Sequence, residues 1–240
     1  MNSILYFVIA ILIIVFYLWP IKRKQSKNDQ PSITIQSNKE ATEFINRLAE
    51  LGYFKYADPK DVDSLKKNMI EEYDPAGEFP MIWDDVLPRA KDYRYYFCDN
   101  EDLFEHGGFI SMLNDLKPIF AKIGLTIEVN DHYECYNQIS LSSDQTITIN
   151  RVKYTVFKGF KGYGWNEAVQ RFVEIINDQL AQQNKEDRLY PVGGGNDGKI
   201  ILLSDEQFKY IDSVYTNPKV KPLQVKDWCN AMDVKYMEVK

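Results

Sequence analysis

The feature that most constrains this 240-residue chain is an uncharged apolar run close to its first residue. The run begins at Ile4, ends at Ile21 and reads ILYFVIAILIIVFYLWPI, without Gly, Asn, Gln, Ser or Thr. As a helix, a run of this length extends about 27 Å, close to the roughly 30 Å hydrocarbon core of a bilayer. We therefore predict that residues 1–21 form a transmembrane anchor, with the lipid bilayer as partner of the helix from Ile4 to Ile21.

The residues around this run distinguish an uncleaved anchor from a secretory signal. A cleaved signal has a basic start and small residues at its cleavage site, whereas bulky Tyr17 and Trp19 stand here. A cluster of basic residues follows at once: Lys22, Arg23, Lys24 and Lys27. Because Lys and Arg beside a membrane segment stay on the cytoplasmic side, the sequence predicts a single-pass protein of the cell membrane with a cytoplasmic soluble domain.

The rest of the chain divides by composition into two parts. Residues 22–37 are polar and irregular and are interpreted as a juxtamembrane linker, in which residues 32–36 could form a short edge strand. Residues 38–240 are interpreted as one soluble domain. The net charge of −6 belongs to residues outside the apolar run, and an acidic domain argues against nucleic-acid binding, which usually requires a basic one.

Hydrophobic periodicity predicts alternating helices and hairpins in the soluble domain. Apolar residues recur at helical spacing over residues 38–51, 58–73, 109–123, 165–183, 204–215 and 225–232. Strand patterns cover residues 93–98, 125–129, 133–141, 146–149, 152–157, 188–192 and 199–203. Because these elements show no βαβ rhythm, the sequence predicts an α+β fold of antiparallel hairpins packed with amphipathic helices.

Several local signals fix where these elements end. Pro118 should kink or split the third helix near Lys117. The pair Asn150 and Arg151 joins two alternating runs and predicts a two-residue hairpin. Ser204 precedes a helix, with Gln207 at the position that completes a capping box.

A glycine-rich loop carries the spacing of a dinucleotide-binding motif. Gly193, Gly195 and Gly198 spell G-x-G-x-x-G after a strand-like run, but the residues that follow read KIILL, another strand. A dinucleotide site needs the loop to open a helix, whose N-terminus holds the pyrophosphate. We therefore interpret residues 193–198 as a hairpin loop, with Asn196, Asp197 and Gly198 in left-handed conformations.

Cys98, His106, His132 and Cys135 form the only Cys/His set in the sequence that could supply four zinc ligands. Structural zinc sites pair their ligands at two to four residues, and only His132 and Cys135 do so. The same residues could form a Cys/His nucleophile pair oriented by a carboxylate of residues 99–105. A buried Cys98 thiol is the simpler interpretation, so we assign no metal, no cofactor and no catalytic residue.

Acidic residues cluster at three places, namely Asp84 with Asp85, residues 58–63 and residues 99–102. A divalent cation could be held by such carboxylates, but none of the three clusters fits a calcium-loop template. Helix capping and solvated surface explain these residues more simply.

The segment KGFKGYGW, residues 158–165, interleaves aromatic, basic and glycine residues. It either fixes a strand-to-helix loop or presents aromatic side chains to a partner. We take the second interpretation as the candidate binding surface and assign it Lys158, Phe160, Tyr163, Asn196 and Asp197.

Two function classes follow from the sequence. The first is a membrane-anchored, non-catalytic protein-interaction module, because an acidic domain rich in Tyr and Trp complements a basic protein partner; an immunity-like role is one form. The second is a membrane-tethered hydrolase with a Cys/His or carboxylate site. The sequence identifies neither the partner nor a substrate.

Overall fold

The computed structural model describes residues 31–84 and 89–240. The predicted anchor, residues 1–21, and the start of the predicted linker lie outside these ranges. Within the described ranges, no helix is both long enough and apolar enough to cross a bilayer.

The described residues form eight α-helices, six β-strands and two short 3-10 helices. The helices are α1 (Pro31–Glu50), α2 (Val62–Glu71), α3 (Asn100–Phe104), α4 (Gly108–Asp115), α5 (Lys117–Ile123), α6 (Trp165–Gln182), α7 (Asp205–Val214) and α8 (Val225–Ala231). The strands are β1 (Tyr95–Phe97), β2 (Val129–Asn137), β3 (Ser142–Ile149), β4 (Val152–Phe160), β5 (Arg188–Val192) and β6 (Lys199–Leu203). The 3-10 helices span Tyr53–Tyr56 and Gly195–Asp197.

The strands form two antiparallel sheets of three strands each. Sheet 1 has the order β1-β6-β5 and sheet 2 the order β2-β3-β4. Hairpins and helices alternate along the chain, so the predicted α+β class is confirmed.

Sheet 1 is buried on both faces, which explains the continuous apolar sequence of β6. Ile200 and Leu202 pack into a first core with α6 and the inner face of sheet 2. Ile201 and Leu203 point the other way, into a second core with α1, α2 and α7. A strand covered on both sides needs apolar residues at every position, so KIILL replaces the alternation typical of a half-exposed strand.

Helix α6 is the main support of sheet 2. Its apolar residues Val169, Phe172 and Ile176 are buried in the first core, which also contains Ile147 and Tyr154 from sheet 2. These contacts place one face of sheet 2 against the helix and leave the other face towards solvent.

The sheet 2 hairpin between β3 and β4 turns at the predicted pair. Asn150 and Arg151 have φ angles of 50° and 68°, as a two-residue turn that matches the strand twist requires. The predicted hairpin of residues 188–192 and 199–203, the division of the third helix at Pro118 and the capping box of Ser204 are also confirmed.

Three predictions about elements are wrong, and one helix was not predicted. Residues 32–36 belong to α1, so they are helical and do not form an edge strand. Residues 125–129 and 133–141 do not form two strands; one strand, β2, spans Val129–Asn137 and a turn follows it. The second helix begins at Val62 rather than after Asp58. Residues 100–104 form the short helix α3, for which the sequence predicted no element.

Candidate functional site

A polar cluster centred on Glu134 lies on strand β2. The two oxygens of this carboxylate lie 2.6 Å from His106 Nδ1 and 3.0 Å from His132 Nε2. The Gln145 side-chain amide and the Gly107 backbone N–H donate hydrogen bonds to it at 2.8 Å and 2.9 Å. The cluster joins the turn between α3 and α4 to β2, and it borders a cleft of about 260 Å³ that Phe104 and Phe157 line from the apolar side.

His106 has the geometry of a side chain held for proton transfer. Its Nδ1 faces Glu134, while the imidazole as a whole is 89% exposed. A carboxylate at Nδ1 fixes the tautomer and leaves Nε2 free to accept a proton. Among the described residues, however, no Ser, Thr or Cys side chain forms a hydrogen bond with either imidazole, so the arrangement lacks a protein nucleophile.

The structure does not assemble the Cys/His pairs considered from the sequence. Cys135 neighbours Glu134 in a strand, where successive side chains point to opposite faces. Its thiol lies on the face of Tyr133, whose pKa it raises through a hydrogen bond. The two histidines are on the other face, against Glu134, so neither is placed to activate Cys135.

The two remaining cysteines are buried thiols. Burial raises the pKa of Cys98 to about 12 and that of Cys229 to about 11. Since only the thiolate is a nucleophile, neither residue is reactive at neutral pH. Cys98 is therefore a packing residue of the first core, in agreement with the simpler interpretation.

The carboxylate clusters are explained by local contacts. Asp99 caps α3 by accepting hydrogen bonds from the backbone N–H groups of Glu101 and Asp102. Asp58 lies 3.1 Å from Lys122 Nζ. Over residues 31–84 and 89–240, no group of three or more His, Cys, Asp or Glu side chains is arranged to hold a metal ion. Asp85 lies outside these ranges.

Exposed apolar side chains gather at one end of sheet 2. Nine large hydrophobic residues are exposed in the described part of the chain, and four of them lie here. We call these four residues the sheet 2 end: Tyr136, Ile139, Leu141 and Tyr163. The first three come from the hairpin of β2 and β3, and the pairing of Ser143 with Phe160 brings the loop that carries Tyr163 to the same end. A fifth exposed residue, Tyr133, lies in the middle of β2 and on the opposite face from Tyr136.

The predicted residues of the 158–165 segment occupy two environments. Lys158 is exposed, and Tyr163 is 85% exposed with its ring 5.8 Å from that of Trp165. Phe160 is half-buried, with ring contacts to Phe104 and Phe157. Both interpretations of the segment therefore apply to different residues: Phe160 fixes the strand-to-helix loop, and Tyr163 is exposed to solvent.

The glycine-rich loop is held by packing rather than shaped for a nucleotide. Gly195 has a φ of 70°, and a Cβ atom at Gly198 would lie 2.3 Å from Asn100 Oδ1 and 2.6 Å from the Cys98 carbonyl oxygen. The expectation of left-handed Asn196, Asp197 and Gly198 is wrong, since the left-handed residues of the loop are Gly193 and Gly195.

The two loops predicted as one surface both flank the start of α6. Asn100 contacts the loop at Gly198, and its side-chain amide also contacts the side-chain amide of Asn166, the second residue of α6. Asn196 and Asp197 are exposed on that loop.

The hairpin residues of the sheet 2 end lie in an acidic stretch of the chain, whereas Tyr163 follows Lys158 and Lys161. Residues 123–150 contain no Lys or Arg. They contain four carboxylates, on Glu128, Asp131, Glu134 and Asp144. A basic partner complements such a surface, both in steering its approach and in its final contacts.

Sequence reasoning missed most of the sheet 2 end and the contact between His106 and Glu134. The hairpin residues Tyr136, Ile139 and Leu141 were interpreted as a strand, and Glu134 was given no role. One signal was available: a stretch with isolated apolar residues and no periodicity is typical of a segment exposed on both faces.

Comparison with known proteins gives no assignment, because no protein-family model, no curated protein and no solved structure matches this chain.

Proposed function

We propose that this chain is a single-pass membrane protein whose acidic soluble domain binds a protein partner without catalysis, an immunity-like role being one form. The observation that carries the proposal is the sheet 2 end, with its exposed Tyr and aliphatic side chains on a packed scaffold. Protein-binding hot spots are enriched in aromatic residues, because a Tyr ring buries much area at a small cost in conformational entropy.

The support for a membrane location is the hydropathy of residues 4–21. Together with the four basic residues that follow, it favours a helix across the cell membrane, residues 22–37 as the linker and a domain on the cytoplasmic side. In this arrangement the domain meets its partner at the membrane surface.

The cysteines provide a direct test of this topology. Cys135 is exposed, whereas Cys98 and Cys229 are buried, so the folded protein offers one reactive thiol. A membrane-impermeant maleimide should leave the protein unlabelled in intact cells and label one site after lysis. Cys135→Ser should abolish the label, and labelling in intact cells would contradict the cytoplasmic placement.

The interaction is tested by affinity capture of the full-length protein from gently solubilised native membranes. The wild type should retain one near-stoichiometric partner, and an Ile139→Ser/Tyr163→Ser variant should lose it. Phe97→Ser is the matched control, since Phe97 is also exposed but lies on sheet 1. The partner should then bind again when both proteins are purified. A wild type without a partner, or a variant that keeps it, would overturn the proposal.

The geometry of His106 favours a second candidate function, a tethered hydrolase in which His106 takes a proton from an attacking water. Glu134 would hold the imidazole, and the cleft beside Phe104 and Phe157 would take an apolar group of the substrate. Purified protein should then hydrolyse nitrophenyl esters of short acids at a rate that His106→Ala lowers at least tenfold. Equal rates for both proteins would exclude this candidate.

A further inference from the structure

Strand β2 is an open edge of sheet 2, whereas the opposite edge is covered. Sheet order places β2 and β4 outermost. At β4, the backbone N–H of Thr155 donates a hydrogen bond to the carbonyl oxygen of Val239, from the last residues of the chain. Within the described ranges, no segment pairs with the outer side of β2. One edge therefore carries the chain's own terminal segment, and the other keeps its backbone donors and acceptors towards solvent.

The open edge carries the charges of Asp131 and Glu134, but little of the other protection that edge strands usually have. Natural edges are shortened, or carry Pro or Lys, or are bent by a bulge. Strand β2 spans nine residues, contains neither Pro nor Lys, and shows one irregularity, between Val129 and Asp131 at its start. From Asp131 to Asn137 its pairing with β3 is continuous. An extended segment could therefore pair along most of its length.

The charge of the strand indicates the partner. Every second residue of a strand points to the same face of its sheet. Asp131, Tyr133 and Cys135 therefore share one face of sheet 2, the solvent-exposed one. The neighbouring Glu128 and Asp144 add negative charge, and no Lys or Arg occurs in residues 123–150. A second copy of this chain would bring the same carboxylates to the same edge, which is unfavourable between like-charged strands. A segment with Lys or Arg complements them.

We propose that β2 accepts an extended, basic segment of a protein partner as a fourth strand of sheet 2. Main-chain hydrogen bonds along β2 provide affinity, and contacts with alternate side chains provide selectivity. Lys or Arg of the partner lies beside Asp131, and an apolar side chain packs on Tyr133. This inference rests on the protein-interaction function proposed above and specifies how the partner binds.

The test uses two synthetic nine-residue peptides that alternate Lys with Val, Thr and Tyr. In the second peptide, alternate residues are N-methylated on the edge that would pair, which removes the strand donors and keeps the charge. The full-length protein in detergent is titrated with each labelled peptide by fluorescence anisotropy. Strand addition predicts at least tenfold weaker binding of the methylated peptide, and slower amide hydrogen exchange across β2 with the first one.

The protein variant is Asp131→Lys/Tyr133→Lys, which places charges on the edge as natural edge strands do. It should weaken binding of the first peptide at least tenfold, while Phe97→Lys on sheet 1 should leave it unchanged. Circular dichroism and the unfolding temperature establish that both variants fold. Equal binding of the two peptides would show attraction by charge alone and overturn strand addition, as would no binding.

These outcomes are separate from those of the proposed function. If native membranes yield a partner that Ile139→Ser/Tyr163→Ser loses, but Asp131→Lys/Tyr133→Lys retains both that partner and the peptide, the interaction module stands and strand addition fails. If no partner is captured but the peptide pairs with β2, strand addition at β2 is supported and the proposed protein-interaction function is contradicted.

Discussion

At the scale of single residues, a buried arginine joins segments that are far apart in the chain. Arg94 is fully buried, and its guanidinium donates hydrogen bonds to the carbonyl oxygens of Tyr53 and Leu202 at 2.6 Å and 2.7 Å. Asp187 lies 3.4 Å from the same group. The buried positive charge of Arg94 is tolerated because its N–H groups donate hydrogen bonds and the Asp187 carboxylate lies close to it. The residue thereby connects the end of α1 to sheet 1.

Arg94→Met should lower the free energy of unfolding by about 3–5 kcal/mol, since it leaves Asp187 and two carbonyl groups with fewer partners in a buried site. Urea unfolding followed by circular dichroism measures the change. Lys209→Met is the control, because Lys209 pairs with Asp205 on the surface with both side chains more than half exposed. Its effect should stay below about 1 kcal/mol, and equal effects of the two substitutions would contradict this account.

Asp92 should give a pH dependence of stability. Burial raises its pKa, in spite of the opposing hydrogen bonds from the Tyr53 hydroxyl and the Arg94 backbone N–H. A carboxyl whose folded pKa exceeds its unfolded value of about 3.9 contributes stability below that value and loses it as pH rises through the folded pKa. The stability of Asp92→Asn relative to wild type should therefore increase with pH above about 4. Urea unfolding across a pH series tests this, and a constant or opposite difference would show the shift to be wrong.

At the scale of elements, helix α7 depends on its first turn. The Ser204 hydroxyl accepts a hydrogen bond from the Gln207 backbone N–H, and the Gln207 side chain accepts one from the Ser204 backbone N–H. Ser204→Ala should cost about 1 kcal/mol, as loss of an N-cap usually does. Ser213→Ala, at an exposed position on the same helix, should cost less than about 0.5 kcal/mol. Thermal unfolding compares the two, and a larger cost for Ser213→Ala would contradict this role of the cap.

The elements that the sequence predicted well are those with strong local signals. Helix α6 has a long apolar stripe, and the turn at Asn150 requires residues that accept positive φ, so both followed from pattern alone. Strand β2 did not, because it is exposed on most of its length and its position is set by pairing with β3. For the same reason the candidate site was only half predicted: Tyr163 stands beside a glycine, whereas the contact of His106 with Glu134 joins separate elements.

At the scale of the whole molecule, strand β6 belongs to both cores. Ile200 faces the first core and Ile201 the second, and both are fully buried. Neither core is complete without this strand, so residues of both should unfold together.

Ile201→Ala should therefore destabilise both cores at once, by about 2–5 kcal/mol. Hydrogen exchange distinguishes the cores: exchange of α6 reports on the first core, and exchange of α1 reports on the second. Both should report the same lowered transition. Loss of protection in α1 with unchanged protection in α6 would show that the cores unfold independently. Val214→Ala, at a half-buried position of α7, is the control and should cost less.

The membership of β6 in both cores also bears on how the protein is made. The second core draws on residues from Phe44 to Tyr215, so α1 leaves the ribosome long before its packing partners. At roughly 5–20 residues per second, translation leaves its apolar face uncovered for about ten to thirty seconds. During that interval, until translation has passed Tyr215, the apolar face of α1 must be covered by chaperones or by segments of the chain that have already been synthesised.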